Sequence, residues 1–142
     1  MKFNPNILIV EDNPGDARLF SELLYEANIP NKIYIATNGE IATQMLSKEG
    51  KYSNLPRIDL ILLDMKLPKK EGKDVLRDIK QDKRFDDIPI IILTGYLPYI
   101  ENHPCDDLVD AVFLKPTDLN GFNELKKAII DVLNKRINVI IE

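Results

Sequence analysis

Cysteine is almost missing from this sequence. Cys105 stands alone, so no intrachain disulfide framework can form, and a reducing compartment, the cytoplasm, is the simplest reading. Histidine is equally scarce: His103 has no second His or Cys at ligand spacing, so zinc finds no ligand set, and both residues read as ordinary members of an irregular segment. Long hydrophobic runs are also lacking. None approaches the ~18 apolar residues of a membrane span, and the opening Met1-Lys2-Phe3-Asn4-Pro5 has no apolar stretch of a secretory signal. There is no excess of positive charge. The formal net charge is -4, which argues against a general nucleic-acid binder. Internal repeats and low-complexity segments are absent.

What is present suits one globular domain. The chain has 142 residues, 44% of them hydrophobic, enough for a real core. The expected core covers about 5–135, with an apolar tail over 136–142. Four short apolar runs, Ile7-Leu8-Ile9-Val10, Leu60-Ile61-Leu62-Leu63, Ile90-Ile91-Ile92-Leu93 and Ala111-Val112-Phe113-Leu114, do not alternate apolar with polar residues. Such strands are buried on both faces, as in a parallel sheet covered by helices. Ile33-Tyr34-Ile35 is shorter, sits among polar residues and suits an edge strand.

Helical periodicity fills the gaps. Over 14–27, Ala17, Phe20, Leu23, Leu24 and Ala27 share one face, while Asp16, Arg18, Glu22 and Glu26 take the other. Pro14 fits the first helical turn, where its missing N–H would have no partner, and Pro30 lies beyond the helix end. Further helices are expected over about 40–48, 73–83 and 121–135. Between Tyr96 and Asp110, Pro98 and Pro104 allow only a short or irregular helix. The strand–helix alternation gives an α/β three-layer sandwich, and right-handed crossovers favour the strand order 2-1-3-4-5.

The informative feature is the chemistry at the end of each run. The first ends in Glu11-Asp12, the second in Asp64, the third in Thr94 and the fourth in Lys115. Open parallel sheets bind ligands beyond the carboxyl ends of their strands. Four strands therefore deliver three carboxylates, a hydroxyl and an ammonium to one edge. Singly, each has a plain structural role: Asp12 as a polar helix entry, Asp64 as a strand-end turn, Thr94 as a β-branched strand residue, Lys115 as a surface cation. Jointly they mark a site. Three packed carboxylates repel unless a cation joins them, and a hard, oxygen-ligated Mg²⁺ or Mn²⁺ resolves this. Asp64 can then attack phosphorus to form an acyl phosphate. Lys115 and the cation would stabilise the transferring group, and Thr94 could donate to one of its oxygens.

These residues resemble the receiver domain of two-component response regulators. The resemblance is carried by Ile7 to Asn13, by Asp64-Met65-Lys66-Leu67-Pro68 with Gly72, by Ile88-Pro89 through Thr94-Gly95, and by Leu114-Lys115-Pro116. The stretch Ile79-Lys80-Gln81-Asp82 before Ile88-Pro89 resembles the single-domain subgroup that partners bacterial phytochromes. The resemblance implies a flavodoxin-like fold with five helices. It implies that Asp64 takes a phosphoryl group from a phosphohistidine of a sensor kinase or phosphotransfer protein. It implies Mg²⁺ held by Asp12, Asp64 and the Lys66 backbone carbonyl, with Glu11 nearby, Lys115 paired with the phosphoryl group, and a cis bond between Lys115 and Pro116. Phosphorylation would then change contacts with a downstream protein, with no direct role for nucleic acid or membrane.

Some positions depart from the pattern. The switch aromatic usually stands three residues before the lysine, where this chain has Val112. Phe113, its neighbour, should face the opposite side of the sheet. Output would then rest on the loop from Thr94 to Tyr99, with Tyr96 a candidate. Lys66 lies where its charge could modulate attack by water on the acyl phosphate. The tail Ile137-Asn138-Val139-Ile140-Ile141-Glu142 reads as an extra strand or a homodimer contact. Two other classes compete. An aspartate-nucleophile phosphatase would carry a second Asp two residues after the nucleophile, where Lys66 stands. A flavodoxin-like cofactor binder would need a Gly-rich phosphate loop after the first strand, and Glu11-Asp12 would repel a phosphate there. The expectation is a switch, not an enzyme beyond its own phosphorylation and dephosphorylation.

Overall fold

The computed structural model describes residues 4–29, 32–95 and 109–141, with side chains up to residue 136. The elements run β1 (Asn6–Val10), α1 (Pro14–Glu26), β2 (Lys32–Ala36), α2 (Gly39–Leu46), a 3-10 turn (Gly50–Tyr52), β3 (Leu60–Leu63), α3 (Gly72–Gln81), β4 (Ile90–Thr94), β5 (Ala111–Leu114) and α4 (Leu119–Ile141). The five strands form one parallel sheet in the order β2-β1-β3-β4-β5, the order the alternation favours. Four α-helices stand among the described residues. The further helix expected between Tyr96 and Asp110 falls mostly on 96–108, outside them, as do Pro30, Tyr96, His103 and Cys105.

The apolar runs explain the layering. Alternate strand residues point to opposite faces, so each run feeds two cores. Leu8, Val10, Ile61, Leu63, Ile90 and Ile92 pack under α2 and α3 with Ala42, Met45, Val75 and Ile79. Ile7, Ile9, Leu60, Leu62, Ile91 and Leu93 pack under α1 and α4 with Phe20, Leu24, Leu125 and Ile129. Each buried aliphatic side chain contributes about 1.5–3 kcal/mol, which lets short strands without polar faces hold together.

Local signals set the boundaries. Asn13 caps α1, its side chain accepting from the Asp16 N–H at 3.1 Å. Asn38 caps α2 in the same way, accepting from the Ile41 N–H at 2.8 Å. Asn28 and Lys48, just beyond these two helices, adopt left-handed φ values of 57° and 55° and turn the chain away.

Two expectations are corrected. The tail is not an extra strand: α4 carries the backbone in helical form to Ile141. Once a helix is nucleated, each further residue adds a hydrogen bond at little cost, and this continuity outweighs the β-branched character of the tail. The Lys115–Pro116 bond is trans, not cis. Trans is the lower-energy isomer even before proline, and Lys115 reaches its acidic partners without the cis bond. No helix among the described residues is long and apolar enough to cross a membrane.

Candidate functional site

The sheet ladder continues past the strand ends and fixes the site's backbone. The Glu11 N–H donates to the Ala36 carbonyl at 2.9 Å, the Asp64 N–H to Val10 at 3.0 Å and the Lys115 N–H to Thr94 at 2.8 Å. Glu11, Asp64, Thr94 and Lys115 are thus held in register with one another. Glu11, Asp64 and Thr94 are buried, and Asp12 is exposed.

Side chains converge on the same edge. Glu11, Asp12 and Asp64 each offer a carboxylate oxygen within 4.8 Å of the other two. The Lys115 ammonium lies 2.7 Å from Glu11 Oε1, 2.9 Å from Asp16 Oδ2 and 3.1 Å from Asp64 Oδ2. The second Asp64 oxygen, Oδ1, accepts the Lys66 N–H at 3.1 Å, and Glu11 Oε2 accepts the Asn13 N–H at 3.1 Å. The Lys66 side chain is exposed.

The electrostatics describe an edge with too many acids for its cations. Burial pushes the Glu11 carboxyl up to about 7, aided by the Asp64 charge and opposed by Lys115 and the Asn13 N–H. Burial also works against the Lys115 ammonium, but Glu11, Asp16 and Asp64 outweigh it and hold its pKa above the ordinary lysine value. Glu11 Oε1 is fully buried and, although close to Lys115, has no aligned hydrogen bond. A buried oxygen lacking a directed donor, beside two further carboxylates, suits a hard cation, which needs no donor geometry. The donor set therefore fits a divalent metal.

The loop after Asp64 is shaped by glycine. Gly72 lies so close that a Cβ there would meet the Asp64 carbonyl oxygen and Met65 Cα at 2.5 Å. This is the physical reason for the spacing from Asp64 to Gly72. Lys69, between them, takes a left-handed φ of 63°. Lys70 is tied to α2 and α3, its ammonium 3.1 Å from Thr43 Oγ1 and paired with Asp78.

The structure brings together Glu11, Asp12, Asp64, Thr94 and Lys115 at four strand ends, as the sequence pattern anticipates. It locates the Lys66 backbone beside Asp64 through its N–H. Val112 packs with the α2–α3 core and Phe113 with the α1–α4 core, so the two side chains face opposite ways. One residue escapes the sequence pattern. Periodicity puts Asp16 on the solvent face of α1, yet it reaches Lys115. Its only signal is its place one turn into a helix that starts at the first strand's acidic end.

Known proteins resemble this chain in sequence and fold. A family model described as response regulator receiver domain matches residues 7–138. Response regulator Rcp1 of Synechocystis sp. is 41% identical over 103 residues, covering 72% of this chain and 66% of Rcp1, just under two thirds of it. The phosphorylated cyanobacterial phytochrome response regulator RcpA superposes with a TM-score of 0.77 at 35% identity, covering 89% of this chain and 91% of that one. The Mn²⁺-bound form of Rcp1 gives a TM-score of 0.75 at 35% identity, covering 88% and 91%.

Proposed function

The chain belongs to the response regulator receiver domain family, and from that premise we propose that it is a single cytoplasmic receiver module that takes a phosphoryl group onto Asp64. The donor is a phosphohistidine of a sensor kinase or phosphotransfer protein. An Asp64 carboxylate oxygen attacks phosphorus, the P–N bond breaks, and its electron pair leaves on the imidazole nitrogen, giving an acyl phosphate. The observation that carries this reading is the convergence at the carboxyl end of the sheet of Glu11, Asp12 and Asp64, with carboxylate oxygens within 4.8 Å of one another, and of Lys115, paired with Glu11 and Asp64.

Each residue has a role fitted to its position. Glu11, Asp12, Asp64 and the Lys66 carbonyl would hold Mg²⁺ or Mn²⁺, which neutralises charge on the transferring oxygens when bound. Lys115 pairs with the phosphoryl group, and buried Thr94 donates to one of its oxygens. The fixed backbone keeps these groups in place, so little reorganisation accompanies transfer. Position 66 offers a lysine where an aspartate-nucleophile phosphatase would need an acid, which supports a switch over a phosphate-ester hydrolase. Phosphorylation changes the contacts offered to a downstream protein. With Val112 facing the same core as Ile92, the change runs without the family's usual ring movement.

The test is incubation with acetyl phosphate and Mg²⁺ followed by intact mass measurement. The wild type gains one phosphoryl group, Asp64→Asn gains none, and EDTA abolishes the gain. A gain that persists in Asp64→Asn overturns the assignment.

A further inference from the structure

Lys115 has a partner that the metal site does not require. Of the three acids around its ammonium, Glu11 and Asp64 also belong to the carboxylate triad that fits a cation, and Asp16 does not. We propose that Asp16 is a positioning residue: its carboxylate gives the Lys115 ammonium a partner outside the triad, so that Lys115 can yield its Glu11 and Asp64 oxygens to a divalent cation. The inference rests on the metal-assisted reading above and deepens it.

The argument is one of competition. An ammonium and a metal ion call on the same two carboxylates, and a lysine bound only to those would have to be displaced before the metal could enter. An ammonium has three donors; here it hydrogen-bonds to Asp16 and Asp64 and lies at ion-pair distance from Glu11. Metal entry removes two of these partners in part. Asp16, at 2.9 Å, is the one that stays with Lys115, so the ammonium is not left partly buried without a counter-charge.

Asp16 is built to hold that place. It sits in the first turn of α1, at the positive end of the helix dipole. Its N–H is fixed by Asn13 Oδ1 at 3.1 Å. Its bond to Lys115 joins residues 99 positions apart, tying the start of α1 to the end of β5. An acid serving only the helix dipole would point to solvent, yet Asp16 turns towards the ammonium.

The test is Mg²⁺ binding to the full chain by titration calorimetry, with circular dichroism to show that each variant folds. Asp16→Ala should raise the Mg²⁺ Kd on the order of tenfold, a typical coupling between contacting residues. Asp16→Asn, whose amide oxygen still accepts from the ammonium, should recover part of the loss. In a Lys115→Met background the effect of Asp16→Ala on log Kd should fall below half. An undiminished effect in that background would show a long-range charge and overturn the proposal, as would an unchanged or lower Kd in Asp16→Ala itself. Wild-type protein that binds no Mg²⁺ would instead overturn the metal reading beneath it.

Discussion

At the scale of single residues, Glu11 adds a pH-dependent component to the stability of the metal-free protein. Folded, its carboxyl keeps a proton up to about 7; the ordinary glutamate value is 4.5. Between these values the folded state binds more protons than the unfolded one, so this group's contribution to stability is full below 4.5 and is lost as pH rises through 7. The metal-free melting temperature should therefore carry a falling component from pH 4.5 to 7, read by thermal unfolding. Glu11→Gln should flatten it. A slope unchanged in that variant would show that Glu11 is not its source. The acids and lysine of the site were legible in the sequence because each ends an unmistakable apolar run. Asp16 was not, because helical periodicity tells which face a residue occupies but not that a lysine from another strand leans over the helix's first turn. The isomer of the Lys115–Pro116 bond was equally beyond sequence reach, since both forms lie within about 1 kcal/mol.

At the scale of elements, the sheet could be read almost to the residue, because doubly buried parallel strands leave a strong mark. Less legible was how α2 meets the loop beyond Asp64. Gly39 opens α2 against that loop, and a Cβ there would lie 2.1 Å from the Lys70 carbonyl oxygen and 2.7 Å from Val75 Cγ2. Nothing in the spacing announces this contact. Gly39→Ala should destabilise the fold by about 1–3 kcal/mol, the usual result of overpacking, measured by urea denaturation. A loss below a few tenths of a kcal/mol would mean that the loop shifts freely. The C-terminal boundary is hard to read for a related reason. An apolar stretch of β-branched residues looks like a strand in isolation, but it comes directly after the buried helical positions Ile129, Val132 and Leu133, and the helix simply continues.

At the scale of the whole molecule, the end of the sheet away from the acids is closed by ion pairs. Arg136 of α4 is buried and lies 3.2 Å from Asp87 Oδ2 and 3.7 Å from Asp59 Oδ1, while Arg57 also pairs with Asp87. Asp59 in turn accepts the Asn6 N–H at 2.9 Å, so β1, β3, the turn before β4 and α4 meet in one network. Arg136→Ala should cost about 2 kcal/mol by urea denaturation. That is below the range for fully buried pairs, because the half-exposed Asp87 regains water. Arg136→Met should lose less, since it keeps the packing of the aliphatic stem. Equal losses in the two would assign the effect to charge alone.

The hydrogen bonds that run one residue past the strands at Glu11, Asp64 and Lys115 have a consequence for any ligand that arrives there. Loops that close around a guest must first be quieted, and the guest's grip is weakened by that loss of freedom. Here the main chain under these three residues was quieted when the sheet formed. An ion or phosphoryl group therefore meets a floor already still, and little of its attraction is lost in ordering the main chain at these three residues.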